Sequence, residues 1–220
     1  MKVMVIAPHP DDETLGCGGT LLRHLKNGDE LYWVIITKVG PNLGWDEDFV
    51  KKRESEIDQV GIKYNFKRVF KLSFPAARIS SSSMPELINN FEKIQKKVKP
   101  ETIYIPYYCD VHTDHQFISK AIQSTIKWFR NNHIQKVLMY ETISETEFNF
   151  INENQFKPNV FVDISNYVEQ KIKIMKIYKS EIEDFPFPRS EKTLRSLMSL
   201  RGSQSGYNAA EAFQLVYERF

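Results

Sequence analysis

Short apolar runs alternate with longer stretches of helical periodicity through the first two-thirds of the chain, and that rhythm leaves few folds open. Lys2–Ala7 and residues 31–37 are rich in Val and Ile with no polar face, the pattern of strands covered on both sides. Residues 68–72, Thr102–Pro106 and residues 136–141 read as further strands. Between them, helices are expected over residues 14–26, about 46–60, 85–98 and from the loop after residue 115 to near Arg130. Asn27-Gly28 stops the first of these. Strand, helix, strand in this order predicts an α/β fold: a Rossmann-like, mostly parallel sheet with helices on both faces. The remainder is less regular, with a short strand at 160–164, helices over 166 to about 181 and 190–200, and a Pro-rich turn at 185–189. The closing segment 207–220 receives no assignment. No linker divides the chain, so residues 1–220 are expected to form a single domain.

Composition narrows the class of function. A formal charge of +2 is too small for a nucleic-acid surface, and the lysines are spread over helix faces instead of forming a stripe. The first apolar run is too short for a signal peptide, and no stretch has the length of a membrane span, so neither nucleic acid nor membrane is expected as a partner. Two cysteines, Cys17 and Cys109, make no disulfide framework and read as packing residues in a reduced, cytoplasmic setting. The aromatic content permits a homo-oligomeric interface without locating one.

In open parallel sheets, sites form where strands end and helices begin. Two polar clusters fall at such places. His9, Asp11, Asp12 and Glu13 follow the first strand; Asp110, His112, Asp114 and His115 follow the fourth. If those strands are close in the sheet, both clusters open into one crevice. Imidazole nitrogens and carboxylate oxygens suit Zn2+, or another divalent ion such as Fe2+, and two histidines with one carboxylate leave a coordination position open. In isolation His9-Pro10-Asp11 reads as a capped turn, and His112 with His115 as ordinary helix-start residues. Together they point to a metal-dependent hydrolase, in which a neighbouring carboxylate takes a proton from water and a histidine supports the oxyanion. Gly16, Gly18 and Gly19 lack the dinucleotide spacing and are expected to let the helix pack closely against the sheet.

Pro8-His9-Pro10-Asp11-Asp12-Glu13, the following Thr14 to Thr20, and His112-Thr113-Asp114-His115 resemble the PIG-L/LmbE-like family of metal-dependent N-deacetylases. Arg201-Gly202-Ser203-Gln204-Ser205-Gly206 and Ala210-Glu211-Ala212-Phe213 extend the likeness nearly to the end of the chain. The resemblance implies that His9, Asp12 and His115 hold the metal, usually zinc, and that Asp11 is the general base. His112 would polarise the amide carbonyl, stabilise the oxyanion or protonate the departing amine. Glu13 then becomes a helix N-terminal acid or a support. Arg53 resembles a family arginine near the substrate, with a salt bridge to Glu56 on its own helix as the rival reading. The implied substrate is an N-acetylated amino sugar carried on a larger group, chosen by loops 39–46, 74–83 and 144–156 and by the C-terminal third. Trp45, Arg78 and Arg189 lie in these segments. The competing readings are a metal-dependent amidase for a non-sugar acyl conjugate and a non-catalytic carbohydrate-binding relative.

Overall fold

The computed structural model describes residues 1–151 and 153–220 in full, and residue 152 by its backbone. Seven strands form one sheet: β1 (Lys2–Ala7), β2 (Glu30–Lys38), β3 (Arg68–Pro75), β4 (Thr102–Pro106), β5 (Lys136–Tyr140), β6 (Val160–Asp163) and β7 (Ala210–Glu218). Their spatial order is β3-β2-β1-β4-β5-β7-β6. The pairs from β3 through β5 are parallel, whereas β7 runs antiparallel to both β5 and β6. The expected mostly parallel α/β sheet is therefore present, closed at one side by an inserted antiparallel strand.

Period-two alternation explains why the central strands carry no polar face. Val3, Val5 and Ala7 point into one core with Trp33 and Ile35, while Met4 and Ile6 point into the other with Val34 and Ile36. Helices α1 (Asp12–Lys26), α2 (Glu47–Lys63), α5 (Val168–Met175) and α6 (Glu191–Ser205) cover the first face. Helices α3 (Met84–Val98) and α4 (Thr113–Thr125) cover the second. Among the described residues no helix is long and apolar enough to cross a membrane.

Several boundaries differ from the sequence-based expectation, each for a local reason. Helix α4 stops at Thr125, not near Arg130, because the Ser124 and Thr125 hydroxyls bond back to carbonyls of their own turn. Asn131 Nδ2 then donates to the freed Thr125 carbonyl at 2.7 Å. Helix α5 ends at Met175 instead of continuing to residue 181, and the chain beyond it turns so that Lys179 N donates to Glu56. Helix α6 runs past Leu200 to Ser205, where Gly206 ends it at φ 80° in the left-handed region. Strand β7, unassigned in the sequence, hides behind the buried Glu211 that interrupts its apolar pattern.

The glycines of α1 do serve close packing. A Cβ on Gly16 would lie 2.2 Å from the Tyr140 ring, and one on Gly19 would lie 2.7 Å from Ile164. Gly61 on α2, by contrast, has nothing nearer than Val69 at 3.7 Å. Gly16→Ala is expected to lower unfolding free energy by roughly 1–3 kcal/mol through overpacking. Gly61→Ala is expected to raise it by up to about 1 kcal/mol through helix propensity. Denaturant unfolding of the two variants checks the contrast.

Candidate active site

Strands β1 and β4 are neighbours, and β1 has β2 on its other side, so the chain changes winding direction between them. The loops leaving the two carboxyl ends diverge there and open a crevice. The loop after β1 is fixed from several sides. Thr37 donates to the Pro8 carbonyl through both its amide (3.0 Å) and its hydroxyl (2.9 Å). Arg53 Nη1 donates to the Pro10 carbonyl at 2.9 Å. Asp11 takes φ 137°, a strained conformation for a residue with a side chain, and its carbonyl accepts from Thr14 N and Leu15 N at 2.9 Å.

Three side chains from the two loops converge. His9 Nδ1 and His115 Nε2 each lie 3.4 Å from Asp12 Oδ2, and 3.3 Å from one another. Four-coordinate zinc with ligands at about 2.0–2.1 Å sets neighbouring ligand atoms about 3.3–3.4 Å apart, so this near-equilateral triangle fits the ion. Each imidazole is anchored by its remaining nitrogen. His9 Nε2 meets Asp114 Oδ2 at 3.1 Å, and His115 Nδ1 meets Asp110 Oδ2 at 2.8 Å. A carboxylate behind a ligating histidine fixes its tautomer and raises its basicity.

The anchoring carboxylates are themselves held. Asp114 accepts from Ala77 N (2.8 Å) and Ile79 N (3.1 Å), and Asp110 accepts from the Thr146 hydroxyl at 2.6 Å. Asp110 and Asp114 stood in the sequence cluster but carried no assigned role. Their signal was adjacency to His112 and His115; which nitrogen each would meet depends on loop conformation.

The electrostatics follow this packing. Burial opposes the charged form of His9, yet the carboxylates of Asp114 and Asp12 outweigh it and push the imidazole up to about 9. Burial likewise opposes a charged Asp12, and His115 and His9 overcome it, holding the carboxyl below the usual range. Asp11 behaves oppositely. Burial, then Asp12 and Glu181, raise it well above an ordinary carboxyl, against the pull of Arg189 and Arg53. Its carboxylate receives no hydrogen bond from any described residue. Burial, with His9 and His115 nearby, pushes His112 down to about 4, so it is neutral at neutral pH. Because His112 Nδ1 accepts from Asp114 N at 3.1 Å, the neutral ring carries its proton on Nε2.

Arg53 lies in the wall of the same crevice, buried, with most of its donors already used. Besides Pro10 it bonds Ser180 Oγ at 2.8 Å and Glu181, and it faces Glu56 at 3.5 Å. Both sequence readings of Arg53 thus have a physical counterpart, and the partner that dominates, Glu181, is far off in the chain. Arg189 holds the other side of Glu181 at 3.1 Å. Glu13 is fully buried and accepts from Asp11 N, Thr14 Oγ1 and Tyr178 OH, which makes it a support of the loop. Cys17 packs in the core beneath the site. The crevice has a volume of about 590 Å³ and extends from the histidines to Trp45 and Phe49.

The family model described as PIG-L, GlcNAc-PI de-N-acetylase, matches residues 4–126, more than half of the chain. The chain belongs to the PIG-L family. Among PIG-L relatives, the diacetylchitobiose deacetylase of Thermococcus kodakarensis is 24% identical over 98% of this chain and 83% of that protein. A probable N-acetyl-alpha-D-glucosaminyl L-malate deacetylase 2 of Bacillus anthracis is 22% identical over 81% of this chain and 80% of its own. The solved N,N'-diacetylchitobiose deacetylase of Pyrococcus horikoshii shares the fold with a TM-score of 0.76 at 21% identity, covering 98% of this chain and 84% of that one.

Since Asp110 orients His115 at one corner of the triangle, Asp110→Asn is expected to weaken divalent-metal affinity by roughly 10–100-fold without removing a ligand. Competition titration against a chelator of known affinity measures it.

Proposed function

We propose that the protein is a zinc-dependent hydrolase that removes the acetyl group from an N-acetylated amino sugar or its conjugate. The observation that carries this reading is the triangle of His9, Asp12 and His115 with a buried, unbonded carboxylate, Asp11, beside it. The names of the PIG-L relatives supply the substrate class.

A divalent ion bound by these three residues supplies the Lewis acidity that polarises the amide carbonyl and acidifies a water. Asp11 takes the proton of the attacking water. Its raised proton affinity matches a group that must accept a proton and then give it up. As the new C–O bond forms, the carbonyl oxygen becomes an oxyanion, and His112 donates from Nε2 to it as a neutral ring. The C–N bond then breaks, and the proton held by Asp11 passes to the leaving nitrogen. Acetate and a free amine result. Arg53 acts at the wall, holding the Pro10 carbonyl so that the loop bearing Asp11 keeps its shape, and its guanidinium edges the substrate space. A protein that merely bound sugar would need neither a set of metal ligands nor a buried carboxylate of raised proton affinity beside them.

Asp11→Asn should keep the metal and lose about 10²–10⁴-fold in turnover. His9→Ala or Asp12→Ala should lose the metal itself. Chelation should abolish acetate release and lower the melting temperature, and Zn2+ should restore both. Metal analysis alongside acetate release from N-acetylated sugars distinguishes these cases. Wild-type turnover by Asp11→Asn would refute the assigned base.

A further inference from the structure

The turn after β5 brings to the crevice a carboxylate that the proposed chemistry does not use. Residues 142–146 are closed by Glu145 N and Thr146 N donating to the Thr142 carbonyl, at 3.1 and 2.9 Å. Thr142 N donates back to Thr146 Oγ1 at 2.8 Å, and that hydroxyl donates to Asp110. Val111 N, from the loop that carries His112, donates to the Glu145 carbonyl at 3.4 Å. Within this turn Ser144 sits at φ 81°, a left-handed conformation that side chains disfavour. The surrounding bonds over-determine that strain, and strain of this kind concentrates where a side chain must be aimed.

The side chain so aimed is Glu145. It lines the crevice with His9, Asp12 and His115 and is half-buried. Its carboxylate makes no hydrogen bond or ion pair with any described residue. The other glutamates of the wall are satisfied, Glu181 by Arg53 and Arg189, Glu54 by Lys71. Glu145 also stands outside the groups of side chains whose donor atoms cluster closely enough to share an ion. A half-buried carboxylate with no partner is unfavourable until something fills the crevice and donates to it. Being acceptor-only, with two oxygens, it matches adjacent hydroxyl groups. Across the crevice Trp45 is 42% exposed and lies stacked on Phe49, with centroids 4.6 Å apart and planes 22° from parallel, which offers a flat apolar face of the kind a pyranose ring covers.

We propose that Glu145 is the specificity-determining residue of the site, accepting hydrogen bonds from adjacent ring hydroxyls of the sugar that bears the acetamido group. The inference rests on the deacetylase reading and narrows it to a polyhydroxylated ring, since an acyl conjugate without hydroxyls leaves Glu145 unpaired.

The test compares wild type with Glu145→Gln, which keeps shape and backbone contacts while removing the charge. Acetate release is followed with N-acetylglucosamine, N,N'-diacetylchitobiose, the 3-deoxy and 4-deoxy analogues of N-acetylglucosamine, and an N-acetylated amine without ring hydroxyls. Glu145→Gln is expected to raise KM for the sugars by about 10–100-fold with kcat within a few-fold and metal content unchanged. Removing the hydroxyl that Glu145 reads should cost wild type a similar factor and the variant nothing more. Equal KM values, loss of metal, or an equal loss on the amine without hydroxyls would each overturn the inference while leaving the deacetylase intact. A wild type that releases no acetate from any of the sugars, with metal bound, overturns the deacetylase reading first and this inference with it.

Discussion

The site depends on a line of alternating charges that crosses the sheet at its switch point: Asp114, His9, Asp12, His115, Asp110. Each imidazole lies between two carboxylates, one behind it and one shared. Such a line fixes ring orientation more firmly than a single bond would, because rotating either ring breaks contacts on both sides. Its three carboxylates exceed what the two imidazoles can balance even when both are protonated, and a divalent cation at the shared corner would offset that excess. A proton and a metal compete for the same lone pairs there, and the upward shift of His9 and downward shift of Asp12 express how strongly the pocket favours positive charge.

Such a line needs a rigid base, and the C-terminal third supplies it. In a regular helix Gly19 N would donate to the Leu15 carbonyl. Here Gly19 N and Thr20 N donate to Glu211 at 2.8 and 2.7 Å, while Lys171 Nζ donates to the Leu15 carbonyl at 2.8 Å and to Glu211 at 2.7 Å. A buried ion pair from α5 and β7 is thus inserted against the ladder of α1, one turn beyond the metal ligands. Gly18 makes room for that approach: a Cβ there would lie 2.8 Å from the Tyr64 hydroxyl and 3.0 Å from Lys171. The two charges are paired and both carboxylate oxygens of Glu211 accept hydrogen bonds, the condition under which a buried pair is tolerable. The first strand-end loop and the last strand therefore form one unit.

What the sequence could convey follows from the range of each interaction. Strands β1, β2 and β4 declare themselves because burial on both faces keeps charged residues out of their interiors. The proposed metal ligands stand out because acidic and imidazole groups collect at two strand ends, where packing gives them no purpose. Strand β7 does not, since Glu211 near its start looks like a solvent-facing residue until Lys171 and α1 are placed around it. The ends of α4 and α5 are equally hidden, being set by Asn131 and Glu56 through contacts that helical periodicity does not encode. Arg53 shows the limit most clearly. Its neighbour Glu56 can be read at helical spacing, but Glu181 and Arg189, which decide its environment, come from a turn across the crevice.

The division of labour among Asp11, Asp12 and Glu13 is a consequence of helix geometry. Consecutive residues at a helix start point about 100° apart, so three adjacent carboxyls cannot serve one ion. Asp12 faces the histidines. Glu13 turns into the core, where burial pushes it up to about 7 even though three donors reach it, and its oxygens are spent on fixing the loop. Asp11, set off from the helix by its left-handed φ, is the one whose oxygens remain unbonded and directed at the crevice. In the same crevice His112 is neutral, with its free N–H on Nε2. A group that favours holding a proton and a ring that cannot gain one flank the same ligands. Asymmetry of that kind agrees with the proposed roles of Asp11 as acceptor and His112 as donor, because exchanging the two would require each to work against its surroundings.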